Sequence, residues 1–172
     1  MNVAALILSI AALVVSVLFS YRRDTLARHA NTLPVLVDFF SQHRSDRLAD
    51  ARDFVYKEMS TYDLSQGLAG LPEERRTQVR ELAWFYDNLG ALVTHKVVDI
   101  KPVSGYLGVS VVLTWEKLEP LIKAERAART PSGVDPERWQ VYFENLYLLV
   151  KRTPPAKARE SQRRWIASRT RP

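Results

Sequence analysis

Asp87 and Asn88 sit in the most apolar stretch of the folded part of this chain, Trp84-Phe85-Tyr86-Asp87-Asn88-Leu89-Gly90. A carboxylate in such surroundings is costly unless it is paired or hydrogen-bonded. One reading makes Asp87 a buried acid with a raised pKa, forming a polar pocket with Asn88 and Glu116. The other makes it a structural acceptor, taking backbone amides from the 99–108 turn or pairing with Arg or Lys. Glu119, close to Glu116, could extend the set into an acidic cluster for a divalent cation. Carboxylate-bridged bundles, however, present Glu-x-x-His pairs on facing helices. None of the three histidines here has an acid three residues before it. His29, His43 and His95 fall at helix ends, where the dipole favours a cation, so end-capping outranks metal binding for them.

Other chemistries find no foothold. The chain has no cysteine, which removes disulfides, thiolate metal sites and Cys nucleophiles. It shows no phosphate loop, Gly-rich dinucleotide turn, nucleophile elbow or zinc spacing. The sequence therefore assigns no catalytic residue, metal or cofactor, and Asp87, Asn88 and Glu116 stay a candidate polar pocket only.

The elements that would carry these residues begin with an uncharged run. Residues 1–20 hold no Lys, Arg, Asp, Glu or His, and Tyr21-Arg22-Arg23 follows. At about 1.5 Å per residue, a helix over residues 1–21 covers roughly 30 Å, the hydrocarbon thickness of a bilayer. Inside lipid each backbone amide must be paired within the segment, which selects helix. A cleaved signal is disfavoured, because Leu18 stands where a small residue is wanted before the end of the run. Basic flanks stay cytoplasmic, and Arg22, Arg23 and Arg28 all follow the run. The expectation is a single-pass inner-membrane anchor, N-terminus outside, with a connection over 22–32 and a cytoplasmic domain over 33–152.

That domain reads as all-α, a bundle of about five helices. Leu33, Leu36, Val37 and Phe40 recur at helical spacing over 33–43. Ser45 can cap a second helix over 46–59, with Leu48, Ala51, Val55 and Met59 inward. Gly67 and Gly70 argue against order through the 60–71 connection. Pro72-Glu73-Glu74 opens a central helix to about His95, with Val79, Leu82, Ala83, Tyr86, Leu89 and Val93 as its inner face, widened by Trp84, Phe85 and Leu92. Gly90 would admit a neighbouring helix closely. Residues 99–108 read as a turn or short helix, and a helix from about 109 should kink at Pro120. After a break at Thr130-Pro131-Ser132-Gly133, Asp135-Pro136-Glu137 signals the start of the last core helix.

Charge is divided unevenly. Residues 1–150 carry 17 basic and 18 acidic residues, whereas 151–172 carry eight basic residues and Glu160 alone. The basic tail, 153–172, reads as disordered, and it is either a free, solvated terminus or a tether lying on the anionic leaflet, each Lys or Arg there adding on the order of 1 kcal/mol. The expected lipid contacts are Arg22, Arg23, Lys157, Arg159, Arg163, Arg164 and Trp165. For a chain already held at a membrane the leaflet is the nearest polyanion, so lipid ranks above nucleic acid.

The phrases Trp84 to Gly90, Val98-Asp99-Ile100 and Trp115-Glu116-Lys117-Leu118-Glu119-Pro120 together resemble a family. It is a domain-of-unknown-function family of short, membrane-anchored helical proteins from high-GC bacteria, and the likeness covers roughly 21–150. The resemblance implies the layout and carries no activity, cofactor or partner. The functional expectation is a membrane-anchored helical scaffold, adaptor or sensor that binds a protein partner or a second copy of itself. The alternative is a membrane-bound enzyme using the Asp87, Asn88 and Glu116 pocket.

Overall fold

A computed structural model describes residues 32–129 and 138–154, with residues 10, 12, 13, 15, 16, 20 and 135 singly. Every regular element among them is helical. The chain divides into two compact units, Met1–Phe40 and Ser41–Pro172. Most of the expected anchor, the 22–31 connection and the tail from 155 on lie outside the described residues. So do all seven expected lipid-contact residues and His29. In the first unit, Ile10, Leu13 and Val15 are helical and exposed. Among the described residues no helix is long and apolar enough to cross a membrane. Helix α1 covers residues 32–43. Leu36 is buried, whereas Leu33 and Val37 face outward at 61% and 57% exposure.

The second unit builds around α2 (Asp46–Lys57), α3 (Glu73–Thr94), α4 (Ile100–Arg129) and α5 (Val141–Arg152). Ser45 caps α2 as expected, accepting the Leu48 amide. Leu48, Ala51, Val55 and Met59 are buried along it, with Phe54. On α3 the six expected inner residues are all buried. Phe85 joins them, but Trp84 points outward at 52% exposure. The apolar belt of α3 is thus broad without being complete.

Several expectations are corrected. The 60–71 connection is ordered into 3₁₀ turns, Met59–Thr61 and Leu64–Gly70. Its backbone is satisfied from outside: Glu125 Oε1 accepts the Leu68 amide at 2.7 Å, and Arg76 donates to the carbonyls of Leu68 and Leu71. Gly67 makes this possible, with φ +58 and no Cβ to meet the Glu125 carboxylate. Local glycine signals carry no trace of partners so far away in sequence.

Residues 100–108, expected as a turn or short helix, are the first turns of a 30-residue α4. Pro102 lies in the first turn, where a missing amide deprives the helix of nothing. Asp99 accepts the Lys101 amide at 2.9 Å and so caps the start. Helical structure also runs on through Pro120. That residue is exposed, so the ring and the orphaned carbonyl one turn back lie on the wet side. The last helix starts later than Asp135-Pro136-Glu137 suggests, at Val141, after a turn in which Gln140 takes φ +61.

Helices α3 and α5 pack most intimately, at Gly90. A Cβ there would run into the carbonyl oxygen of Tyr142. Gly105, in α4, has open space around it. Gly90→Ala should therefore destabilise the protein by about 3 kcal/mol, since overpacking a fixed backbone contact leaves nothing flexible to yield. Gly105→Ala should stabilise it by about 0.5–1 kcal/mol through helix propensity. Thermal denaturation of both variants checks the pair.

Candidate functional site

Asp87 projects from α3 towards the start of α5. Its Oδ1 accepts the Phe143 amide at 2.9 Å, and the Tyr142 amide donates to the same carboxylate. These are the second and third residues of α5, the amides that a capping side chain normally takes. Gln140, at the cap position, makes no such bond with its own side chain. Asp87 thus caps a helix 54 residues away in sequence, with its charge at the positive end of the α5 dipole. Burial pushes its pKa up, and the two amides and Arg126 pull it back. Arg126 braces the same junction, donating to the Trp139 carbonyl at 2.9 Å and to Glu144 Oε2 at 2.7 Å.

The structural-acceptor reading of Asp87 matches this geometry, with one change: the amides come from α5, not from 99–108. Asn88 and Glu116 are both exposed, while Asp87 is half-buried with its oxygens engaged. Glu119 pairs with Lys123 at 2.8 Å. Among the described residues no three His, Asp or Glu side chains gather as metal ligands.

A second polar cluster has no counterpart in the sequence reading. Tyr86, the residue before Asp87, is fully buried. Its ring stacks on Phe143 at 4.9 Å between centroids, and Phe143 meets Trp115 edge-on at 5.1 Å. Its hydroxyl lies 2.7 Å from Ser110 Oγ and 3.3 Å from His43 Nε2. Ser110 Oγ is in turn 3.1 Å from His43 Nε2 and 3.2 Å from the Tyr56 hydroxyl, which reaches Thr114 Oγ1 at 3.0 Å. Ser110 and Thr114 stand one turn apart on α4, so a single helix face supplies both.

Burial, then the nearby Arg52 guanidinium, holds the His43 pKa down at about 4. The imidazole is therefore neutral at pH 7, which corrects the expectation of a cation at a helix end. Arg52 supplies the positive charge there instead, donating to the His43 carbonyl at 2.7 Å. Burial pushes the Tyr86 hydroxyl up to about 12. A base so weak and a phenol so reluctant are poorly matched to proton transfer at neutral pH. The cluster does the work of a satisfied core network within the second unit, joining His43 to α2, α3 and α4. The signal available in sequence was a tyrosine on a fully apolar helix face, whose hydroxyl must find partners. His95, expected as another capping cation, is exposed with Nε2 3.2 Å from the Tyr142 hydroxyl.

The surface offers one further feature. Between α4 and α5 runs an apolar groove of about 320 Å³, where Val109, Val112 and Leu113 face Val150, Lys151 and Pro154 over Gly108. Val112, half-buried, contributes to this wall.

A family pattern matches residues 1–153, the stretch from the uncharged run to the end of α5. The chain belongs to the Domain of unknown function (DUF4760) family. Among curated proteins and among solved structures, none matches it. The DUF4760 match ends one residue after α5, so the cap, the hydroxyl cluster and nearly all of the groove are parts of the family domain, and the basic tail follows it.

Two expectations follow from this geometry. Asp87→Ala should cost about 2 kcal/mol, the loss of a cap together with stranded amides, whereas Asp87→Asn keeps an acceptor and should cost much less. Chemical denaturation separates the two. The second concerns pH. Between pH 6.5 and about 4 the unfolded His43 binds a proton that the folded one refuses. Its contribution to stability is thus complete above pH 6.5 and is lost as the pH falls towards 4. In His43→Gln, the denaturation midpoint should vary less across that window than in the parent.

Proposed function

We propose that this DUF4760 chain is a membrane-anchored helical adaptor, holding a protein partner close to the inner face of the cytoplasmic membrane. The uncharged run over 1–21 is its anchor, with the N-terminus outside and the bundle in the cytoplasm. Support comes from the length and purity of that run and from the arginines that follow it. The tail, through Lys157, Arg159, Arg163, Arg164 and Trp165, together with Arg22 and Arg23, would meet anionic headgroups.

The observation that carries the adaptor reading is Trp84. It stands 52% exposed on the outer side of α3, flanked one turn away by exposed Asn88 and, on the other side, by Arg80. Large aromatic side chains so placed, with polar neighbours, are the usual energetic centres of protein interfaces. A membrane-bound enzyme built on Asp87, Asn88 and Glu116 is the weaker reading, because the Asp87 carboxylate is committed to the α5 amides.

Reporter fusions at residue 32 and at the C-terminus should both report a cytoplasmic location. A photo-cross-linking residue at position 84, in intact membranes, should give a discrete protein adduct that the exposed control position Glu74 does not. Alkaline carbonate releasing the chain from membranes would overturn the anchor, and equal, diffuse labelling at the two positions would overturn the interface.

A further inference from the structure

Helix α4 carries no charge from Pro102 to Trp115. Along its outer side Pro102, Gly105, Val109 and Leu113 recur at helical spacing, all exposed, Val109 at 66% and Leu113 at 45%. A solvated helix face about four turns long is ordinarily polar, and an apolar one marks an interaction surface. We infer that this face pairs with the same face of a second copy, the two α4 helices running antiparallel about a twofold axis beside Val109.

Charge selects both that partner and that direction. Exposed charges of mixed sign bracket the face, Asp99 and Lys101 at one end and Glu116 and Lys117 at the other. The ion pairs α4 makes among the described residues use Glu119, Lys123, Glu125, Arg126 and Arg129 instead. Laying a second α4 against the first in reverse sets Lys101 beside the partner's Glu116 and Asp99 beside the partner's Lys117. The midpoint of the first pair is the Gly108–Val109 bond and that of the second is Gly108, so one register serves both. The twofold axis repeats each pair, as an isologous contact requires. A parallel arrangement would oppose lysine to lysine and glutamate to glutamate. Shape agrees with charge. In the same register Leu113 meets the partner's Gly105, where an added Cβ would find nothing within 4 Å. Val109 comes over the partner's Gly108, at the mouth of the α4–α5 groove. Lys151, on the rim of that groove, has Glu116 and Glu119 of its own chain within electrostatic reach, so it brings no unbalanced charge. Trp84 stands on α3 and takes no part, so the pairing is independent of the interface proposed there.

The test uses the full chain in neutral detergent micelles and the absence of native cysteine. Val109→Cys places the sole thiol beside the axis, where mild oxidation should trap a disulfide-linked dimer. Lys123→Cys, exposed on the same helix, holds the two thiols roughly 40 Å apart in this register and should give about a tenth as much dimer or less. Lys101→Glu or Glu116→Lys, added to Val109→Cys, turns two symmetry-related attractions into two repulsions. Each should lower the cross-link by about tenfold. Mixing these two single-charge variants restores opposite charges at both ends, so the mixed dimer should form as readily as the parent's. All four substituted positions are exposed, and circular dichroism establishes that the variants remain folded. Equal cross-linking from positions 109 and 123 would overturn the proposal, as would charge reversals without effect or a mixture that does not recover. Association through residues 1–21 alone would be blind to the charge reversals and is thereby told apart.

Discussion

Helix α5 begins on an acid that belongs to another helix, and the bundle depends on that loan. A 12-residue helix is marginal by itself, and the first amides of α5 have no partner within it. Asp87 supplies the acceptor. One turn further along α3, Gly90 removes the side chain that would hold the two backbones apart. These two residues set the depth, register and polarity of α5 against α3. Phe143, Leu146 and Val150 are buried as a consequence of that placement.

The neighbouring residue does the complementary job. Tyr86 stacks its ring on Phe143 in the aromatic core and brings its hydroxyl to α4. Its hydroxyl could not be buried without partners, and Ser110 and His43 supply them directly, with Tyr56 and Thr114 completing the network around Ser110. Aromatic stacking of the Tyr86–Phe143 kind adds about 1 kcal/mol beyond area burial. The hydroxyl network contributes mainly specificity, because any slip of α4 by one residue would strand several buried polar atoms. Consecutive residues of α3 thus fix α4 and α5, one through neutral hydroxyls and one through a charge.

Much of this was legible in the chain. The inner faces of α2 and α3, the Ser45 cap, the close approach at Gly90 and the all-helical class follow from periodicity and cap chemistry, which are local signals. What escaped was set by contacts distant in sequence. Glu125 orders a glycine-rich connection that looks like a break on its own terms. Apolar character spreads right round that part of α3, so sequence alone counts Trp84 with the inner face, and only packing decides which sector is left in water. For Asp87 the sequence posed the right question, whether site or acceptor, and named the wrong donors. The Tyr86–His43–Ser110 cluster was invisible for a simpler reason: its members lie 24 to 67 residues apart and none is chemically unusual alone.

Helix α4 is the longest of the described helices. Its 30 residues make a rod of about 45 Å. The groove lies in its first half, the Glu125 latch on the 64–70 turn lies near its other end, and Pro120 sits between them. A stiff rod carries displacement along its length, and the missing hydrogen bond at a proline is where such a rod bends most readily. Anything that wedges the groove apart must therefore either drag on the latch or be absorbed as flexure at one residue.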